Sequence, residues 1–215
     1  MLTYYFHPLS SFCWKALIAL YENDTPFTPH VLHLQDGEVR AAFAKISPMG
    51  KMPALTDGDR AVSEASVVIE YLDQNYPGKT RFIPPDAARA LEVRRMDRVF
   101  DLYIHEQMQK IVADLLRPED KRDPFGVDEA RGRIARGYAY LESVLKPGQW
   151  ACGDGFTLAD CAAFPALFYA NAVQPLGERP NLAAYLERLT QRPSIARTVE
   201  EARPFFKYFP PGGLE

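Results

Sequence analysis

The stretch GKMPALTDGDRAVSEASVVIEYL, Gly50 to Leu72, changes its period within a few residues. Pro53-Ala54-Leu55-Thr56 and Arg60-Ala61-Val62-Ser63 flank Asp57-Gly58-Asp59. That is a turn signal between two short strands, so the segment predicts a hairpin. From Glu64 onward Val67, Val68, Tyr71 and Leu72 recur at helical spacing and predict a helix. Met52-Pro53, just ahead of the hairpin, is a candidate cis peptide. In that geometry the Met52 N–H and C=O turn outward as an edge able to pair with a peptide-like ligand. Glu64-Ala65-Ser66 opens the helix and has two readings. In one, Ser63 caps the helix and Glu64 favours its dipole. In the other, the free N–H groups bind a carboxylate while Glu64 holds an ammonium, gripping both charged ends of one amino acid.

Toward the N-terminus, Leu2 to Phe6 reads as a strand and Phe27 to Leu34 as a second one. Pro26 and Pro29 confine that second strand to an edge. Between them Leu17, Ile18, Leu20 and Tyr21 form one face of a helix. A short helix from about Val39 to Lys45 stops at Ser47-Pro48-Met49-Gly50. The order is β-α-β-α-β-β-α. Toward the C-terminus, Pro77 to Asp86 is a polar, proline-bearing linker. Beyond it every pattern is helical: Ala87 to about Leu116, with Met96, Val99, Phe100, Tyr103 and Ile104 in one stripe; Asp128 to Leu145; a helix from Thr157; one carrying Leu182, Tyr185, Leu186 and Leu189; and a last one opened by Pro193. The fold class is therefore an α/β unit over residues 1–77 followed by an all-α unit over 87–211. The terminal Gly212-Gly213-Leu214-Glu215 is left out of the fold.

Bulk composition narrows the function. The chain has 215 residues, 47% of them hydrophobic and 25% charged, with a formal net charge of −3. That is ordinary globular composition with no electrostatic footprint for nucleic acid or an anionic membrane. No apolar run approaches the ~20 residues of a membrane span. Three scattered cysteines, Cys13, Cys152 and Cys161, make no disulfide framework. The expectation is a soluble, cytoplasmic protein.

Several chemistries lack their motifs. His7, His30, His33 and His105 contain no i, i+4 helical pair for zinc, and no metal is expected. Gly78-Lys79-Thr80 has Asp73 where a P-loop needs glycine. Gly153-Asp154-Gly155 lacks the third glycine of a dinucleotide fingerprint. There is no Gly-x-Ser-x-Gly. Arg94, Arg95 and Arg98 read as a solvated helix face. Thr157-Leu158-Ala159-Asp160 fits a capping box, a structural role.

Ser10 and Ser11 precede the first helix. Either is an N-cap, or a hydroxyl that, with the helix N-terminus, stabilises a bound thiolate. Lowering a thiol pKa by about two units takes ~2.7 kcal/mol. One hydrogen bond to a charged group supplies roughly 1.5–3 kcal/mol. Ser10-x-x-Cys13 also has the spacing of a redox motif without its first thiol, which favours Cys13 as a small buried residue.

Taken in order, the β-α-β-α-β-β-α unit, Gly50-Lys51-Met52-Pro53-Ala54-Leu55, Glu64-Ala65-Ser66-Val67-Val68-Ile69-Glu70-Tyr71-Leu72, the linker and Thr157-x-x-Asp160 resemble the cytosolic glutathione S-transferase superfamily, of the bacterial, serine type, along nearly the whole chain. The resemblance implies a thioredoxin-like N-terminal domain binding glutathione as co-substrate, and a helical domain shaping the second-substrate pocket. It implies a cis Met52-Pro53 beside Lys51 pairing with the cysteinyl unit, and Glu64 and Ala65 on the γ-glutamyl end. It implies Ser10 as the thiolate-stabilising hydroxyl, Asp101 reaching the γ-glutamyl ammonium across a homodimer, and Tyr103 and Gln107 near the pocket. Tyr4 and Tyr5 are a minor rival to Ser10. Ser10-Ser11 with Trp14-Lys15 looks similar to the zeta class, which includes maleylacetoacetate isomerases, but Phe12 stands where that class usually has cysteine. Ala65 stands where the family commonly has serine, implying weaker glutathione binding. The expected activity is transfer of glutathione to a small electrophile; the alternatives are an isomerase, a disulfide reductase, or a non-catalytic binding module.

Overall fold

The computed structural model describes residues 1–210 and 214; the Pro211 end of the expected helical unit, with Gly212, Gly213 and Glu215, lies outside the described residues. The first unit runs β1 (Leu2–Phe6), α1 (Ser11–Glu22), β2 (Thr28–Val31), α2 (Gly37–Ala44), β3 (Ala54–Asp57), β4 (Arg60–Ser63) and α3 (Ala65–Asn75). The sheet order is β2-β1-β3-β4. β1 pairs parallel with β2 and antiparallel with β3, placing Tyr4 opposite Leu55. β3 and β4 form the expected hairpin, with Ala54 opposite Ser63. β2 is an edge strand, as Pro29 within it requires.

Alternation along β1 sends Leu2, Tyr4 and Phe6 into the core. α1 is buried nearly all round, which its run of apolar residues permits. α2 starts earlier than its apolar pattern, because Asp36 accepts from the N–H groups of Glu38 and Val39. In α3 the core face is Val68, Ile69 and Leu72, whereas Val67 is 53% exposed. The sequence stripe merged two faces, since neighbouring helical residues lie ~100° apart.

The second unit comprises α4 (Ala87–Val99), a π-helical segment (Phe100–His105), α5 (Glu106–Leu115), α6 (Pro124–Val144), α7 (Leu158–Val173), α8 (Pro180–Thr190) and α9 (Pro193–Ala202). The single helix expected from Ala87 to Leu116 is thus interrupted. The Glu106 N–H donates to the Asp101 carbonyl, five residues back. This turn rotates Tyr103 off the expected stripe, leaving it 55% exposed while Met96, Val99, Phe100 and Ile104 stay in the core. Gly137 of α6 lets this segment pack closely: a Cβ there would sit 2.6 Å from Ile104 Cδ1. α6 begins a turn earlier than expected because Asp123 caps it and Pro124 occupies its first position.

α7 is the axis of the helical unit and is buried over most of its length. The capping box at its start is present. The Asp160 carboxylate takes the Thr157 N–H at 2.9 Å and also accepts from the Ala151 N–H and the Tyr185 hydroxyl. One buried carboxylate thereby fixes the entry to α7, the preceding loop and α8. The linker is pinned rather than free: Phe82 is buried and its N–H donates to Asp73. The aromatic tail, a 3-10 turn over Arg203–Tyr208, covers the core with Phe206 against Trp14 and Phe168. Leu214, left out of the fold by the sequence reading, packs against that core, and its N–H donates to the Phe206 carbonyl. Among the described residues no helix is long and apolar enough to cross a membrane.

Candidate functional site

A cleft of about 910 Å³ opens between the two units. Its floor and one wall come from Ser10 and Phe12, the Gly50-Lys51-Met52 loop and the first turn of α3, Glu64 to Val67. The facing wall is one side of the α4–π–α5 rod, carrying Arg94, Asp97, Arg98, Asp101, Leu102, Glu106 and Gln109. Ser10, Lys51, Met52, Glu64, Ala65 and Asp101, scattered over the sequence, therefore share one cleft. Pro53 is buried behind it. Thr157 and Asp160 lie buried at the start of α7, in the structural role expected of them.

The Met52–Pro53 bond is cis. Ser47 Oγ donates to the Lys51 carbonyl at 2.8 Å and holds that loop. Glu64 has φ 68° and ψ 117°, a conformation L residues avoid at a cost of ~1–3 kcal/mol. Glu64 itself is the N-cap of α3, and no side chain caps that helix. The reading of Ser63 as a cap is thus corrected: Ser63 ends β4, paired with Ala54. The first-turn N–H groups of α3 remain open to a ligand beside an exposed carboxylate.

The two serines separate cleanly. Ser11 is 2% exposed, and its hydroxyl meets His105 Nε2 at 2.6 Å and accepts from Gln109 Nε2 at 2.9 Å. Ser10 caps α1 without a side-chain bond to the helix backbone; its hydroxyl lies within reach of the Cys13 thiol. It lines the cleft. The His105 ring stacks on Phe12 at 3.7 Å. Burial, then the Lys15 charge, push its pKa down to about 3, so it is a neutral imidazole. Tyr4 is fully buried and donates to the Cys13 carbonyl, so it is no rival to Ser10. Tyr5 packs at a tilt against His30, outside the cleft lining. Burial raises the Cys13 thiol to about 12, so it is inert at neutral pH.

Behind the cleft lies a charge cluster the sequence reading missed. Lys15 is wholly buried, 2.5 Å from Asp97 and 2.7 Å from Asp101. Arg98 closes the cluster at 2.6 Å from each carboxylate. The Ser66 hydroxyl accepts from Lys15 and Arg98 and donates to Asp97, so it is saturated and turned away from any ligand role at position 65. Arg94 pairs with Glu70 through two hydrogen bonds. The basic run lies on an exposed face, as expected, but its members are paired, and Arg94 and Arg98 line the cleft. Asp101, for which the resemblance implies a contact across a dimer, is held by Lys15 and Arg98 of its own chain. Burial raises its pKa, opposed by the Lys15 charge. Its Oδ1 is buried without a partner. Tyr103 and Gln107 line a different cavity of about 780 Å³, against Arg133, Arg136 and Tyr140 of α6. The one local signal for this cluster was a lysine inside the apolar run Trp14-Lys15-Ala16-Leu17-Ile18.

Comparison with known proteins agrees along the chain. Residues 5–80 match the family Glutathione S-transferase, N-terminal domain, and residues 124–188 match Glutathione S-transferase, C-terminal domain. Glutathione S-transferase Z2 of Arabidopsis thaliana is 30% identical over 174 residues, 75% of this chain and 74% of that protein. A probable maleylacetoacetate isomerase of Caenorhabditis elegans is 25% identical over 198 residues, 91% of each chain. The structure of a glutathione S-transferase from Methylobacterium radiotolerans, in complex with glutathione sulfonate, superposes with a TM-score of 0.80 at 27% identity, covering 92% of this chain and 94% of that one. With its thioredoxin-like sheet unit and following helical domain, the chain belongs to the cytosolic glutathione S-transferase superfamily.

Proposed function

We propose that the chain is a glutathione transferase in which Ser10 holds the glutathione sulfur as thiolate for attack on a small electrophile. The observation that carries this reading is the convergence, in one cleft, of the Ser10 hydroxyl, which caps no backbone N–H, with the uncapped start of α3 and Glu64. Glutathione carries an ammonium and a carboxylate on its γ-glutamyl end and a carboxylate on its glycyl end. Glu64 fits the ammonium, the α3 N–H groups fit the neighbouring carboxylate, and Lys51 fits the glycyl carboxylate. The outward edge of Met52 is available to the cysteinyl backbone. The thiol then lies at the start of α1, where the Ser10 O–H donates to sulfur and the helix N-terminus favours its negative charge. In this reading residues 1–77 bind glutathione and the helical unit from residue 87 shapes the electrophile's pocket. Exposed Leu91, Leu102, Tyr103 and Tyr140 on the helical unit support a homodimer. The expected setting is cytoplasmic.

Calorimetry tests the glutathione site. Wild-type protein is expected to bind glutathione, and Glu64→Ala to lose most of that affinity; absence of binding by the wild type would reject the reading in favour of a non-catalytic module. In the same experiment Ala65→Ser is expected to tighten binding by about 0.5–1.5 kcal/mol, one added hydrogen bond to the γ-glutamyl carboxylate. An unchanged affinity would mean that the Ala65 backbone N–H alone carries that contact.

A second reading, glutathione-dependent isomerisation of an unsaturated dicarboxylate, is favoured by the similarity to the probable maleylacetoacetate isomerase and by Ser10-Ser11 with Trp14-Lys15. A disulfide reductase is disfavoured, because Cys13 is buried and protonated.

A further inference from the structure

Resting on the glutathione reading, the charges of the cleft can be followed one by one. Arg94 is paired with Glu70, and Arg98 with Asp97 and Asp101. The side chains of Lys51, Glu64 and Glu106 line the cleft with no hydrogen bond or ion pair among the described residues. Glutathione has a complement for Lys51 and for Glu64. It has none for Glu106.

The rod places Glu106 away from the γ-glutamyl end. Ser66, in the first turn of α3, bonds Asp97 and Arg98, so that end of the cleft lies beside the earlier part of the rod. Gln109 bonds Ser11, so the later part lies beside the start of α1 and Ser10. Leu102, Glu106 and Gln109 follow one another at helical spacing toward that end. Phe12, stacked on His105, supplies an aromatic wall there. The region next to the sulfur is thus an aromatic and aliphatic surface bearing one exposed, uncompensated carboxylate. Lys110, the nearest cation in sequence, is turned to Gln107 and does not line the cleft.

We propose that Glu106 determines specificity in the electrophile's half of the cleft, and that the chain's electrophiles are neutral or cationic aromatic compounds rather than carboxylates. A carboxylate-bearing electrophile meets like charge, whereas a cation or hydrogen-bond donor is attracted. This counts against the isomerase reading, whose substrates carry two carboxylates.

The test uses a matched set of chloronitrobenzenes bearing a carboxylate, a neutral nitro group or a trimethylammonium. In each, the glutathione thiolate forms the C–S bond and chloride leaves with the C–Cl electron pair; the thiol proton has already passed to solvent. With each kcat/KM divided by the rate of the same compound with glutathione alone, which removes the substituent's own effect on ring reactivity, wild type is expected to prefer the cationic over the anionic member by about tenfold or more. Glu106→Gln should largely abolish that ratio, and Glu106→Lys should invert it. The ratio within each variant cancels any change in overall turnover. Calorimetry of the three S-aryl glutathione conjugates reads the same discrimination without turnover. Glutathione bound normally while wild type and Glu106→Lys rank the three conjugates alike would overturn this proposal alone. Failure to bind glutathione itself would overturn the function on which it rests.

Discussion

Ser10→Ala is expected to lower conjugation turnover at pH 7 by about 25-fold, the ratio of the two thiolate fractions, while changing glutathione affinity little. The size follows from the thiol. A cysteine-like thiol ionises near 8.5, so only a few per cent is thiolate at pH 7. One hydrogen bond from Ser10 to the charged form, with the α1 N-terminus, supplies the ~2.7 kcal/mol that moves it down by about two units. The bond favours the thiolate, so rate rises with pH through the lowered value in the wild type and through a value near 8.5 in the variant. The pH profile of kcat/KM therefore separates loss of ionisation from loss of fold. The activity deficit should shrink as pH rises toward 9. Binding survives because Glu64, Lys51 and the α3 N-terminus are untouched. Ser11→Ala is the informative companion. Its hydroxyl is tied to His105 and Gln109, so its loss should leave the apparent thiol pKa where it was. A variant at Ser10 with full activity at pH 7, or an unshifted profile, would remove Ser10 from the mechanism.

The parts of this site that the sequence makes legible are those written in local code. Asp57-Gly58-Asp59 sets the hairpin, and the hairpin sets where Glu64 and Ala65 begin α3. Pro29 makes β2 an edge because a missing N–H cannot be supplied from elsewhere. Thr157 and Asp160 are three residues apart, and their bond is a property of one helical turn. What was not legible depends on contacts far along the chain. Lys15 meets Asp101 across 86 positions, and His105 meets Ser11 across 94. No window of sequence contains both members. The partners of Arg94 and Arg98 are hidden for the same reason, since Glu70 and Ser66 lie on another helix. The π segment has a different cause. Phe100 to His105 holds no proline or glycine to mark it; the enabling glycine, Gly137, sits on α6. Such segments gather at functional sites, and this one turns Asp101 and Leu102 into the cleft ahead of Glu106.

Lys15→Met is expected to destabilise the chain by about 3–5 kcal/mol, or roughly 10 °C in Tm, and to do so mainly at neutral pH. The substitution keeps an apolar stem of similar length, so packing of the buried side chain is largely retained. It leaves the buried carboxylates of Asp97 and Asp101 with only Arg98, whose side chain is half exposed. Burial already raises the Asp101 pKa against the opposing charge of Lys15, and removing Lys15 raises it further. The sign of the pH dependence follows. A carboxyl whose folded pKa lies above its unfolded value, ~3.9, favours the folded state below that unfolded value and loses the advantage as pH rises through the folded one. The variant's deficit against wild type should thus be greatest near pH 7 and shrink as the pH is lowered to 4.5, the direction that favours the protonated Asp101. Thermal unfolding at the two pH values reads this directly. Adding Asp101→Asn to Lys15→Met should recover part of the loss at pH 7, because it removes one uncompensated buried charge. An equal deficit at both pH values, with no recovery in the double variant, would mean that Lys15 serves as packing alone. The cluster would then have no electrostatic hold on the helix wall that faces Glu64.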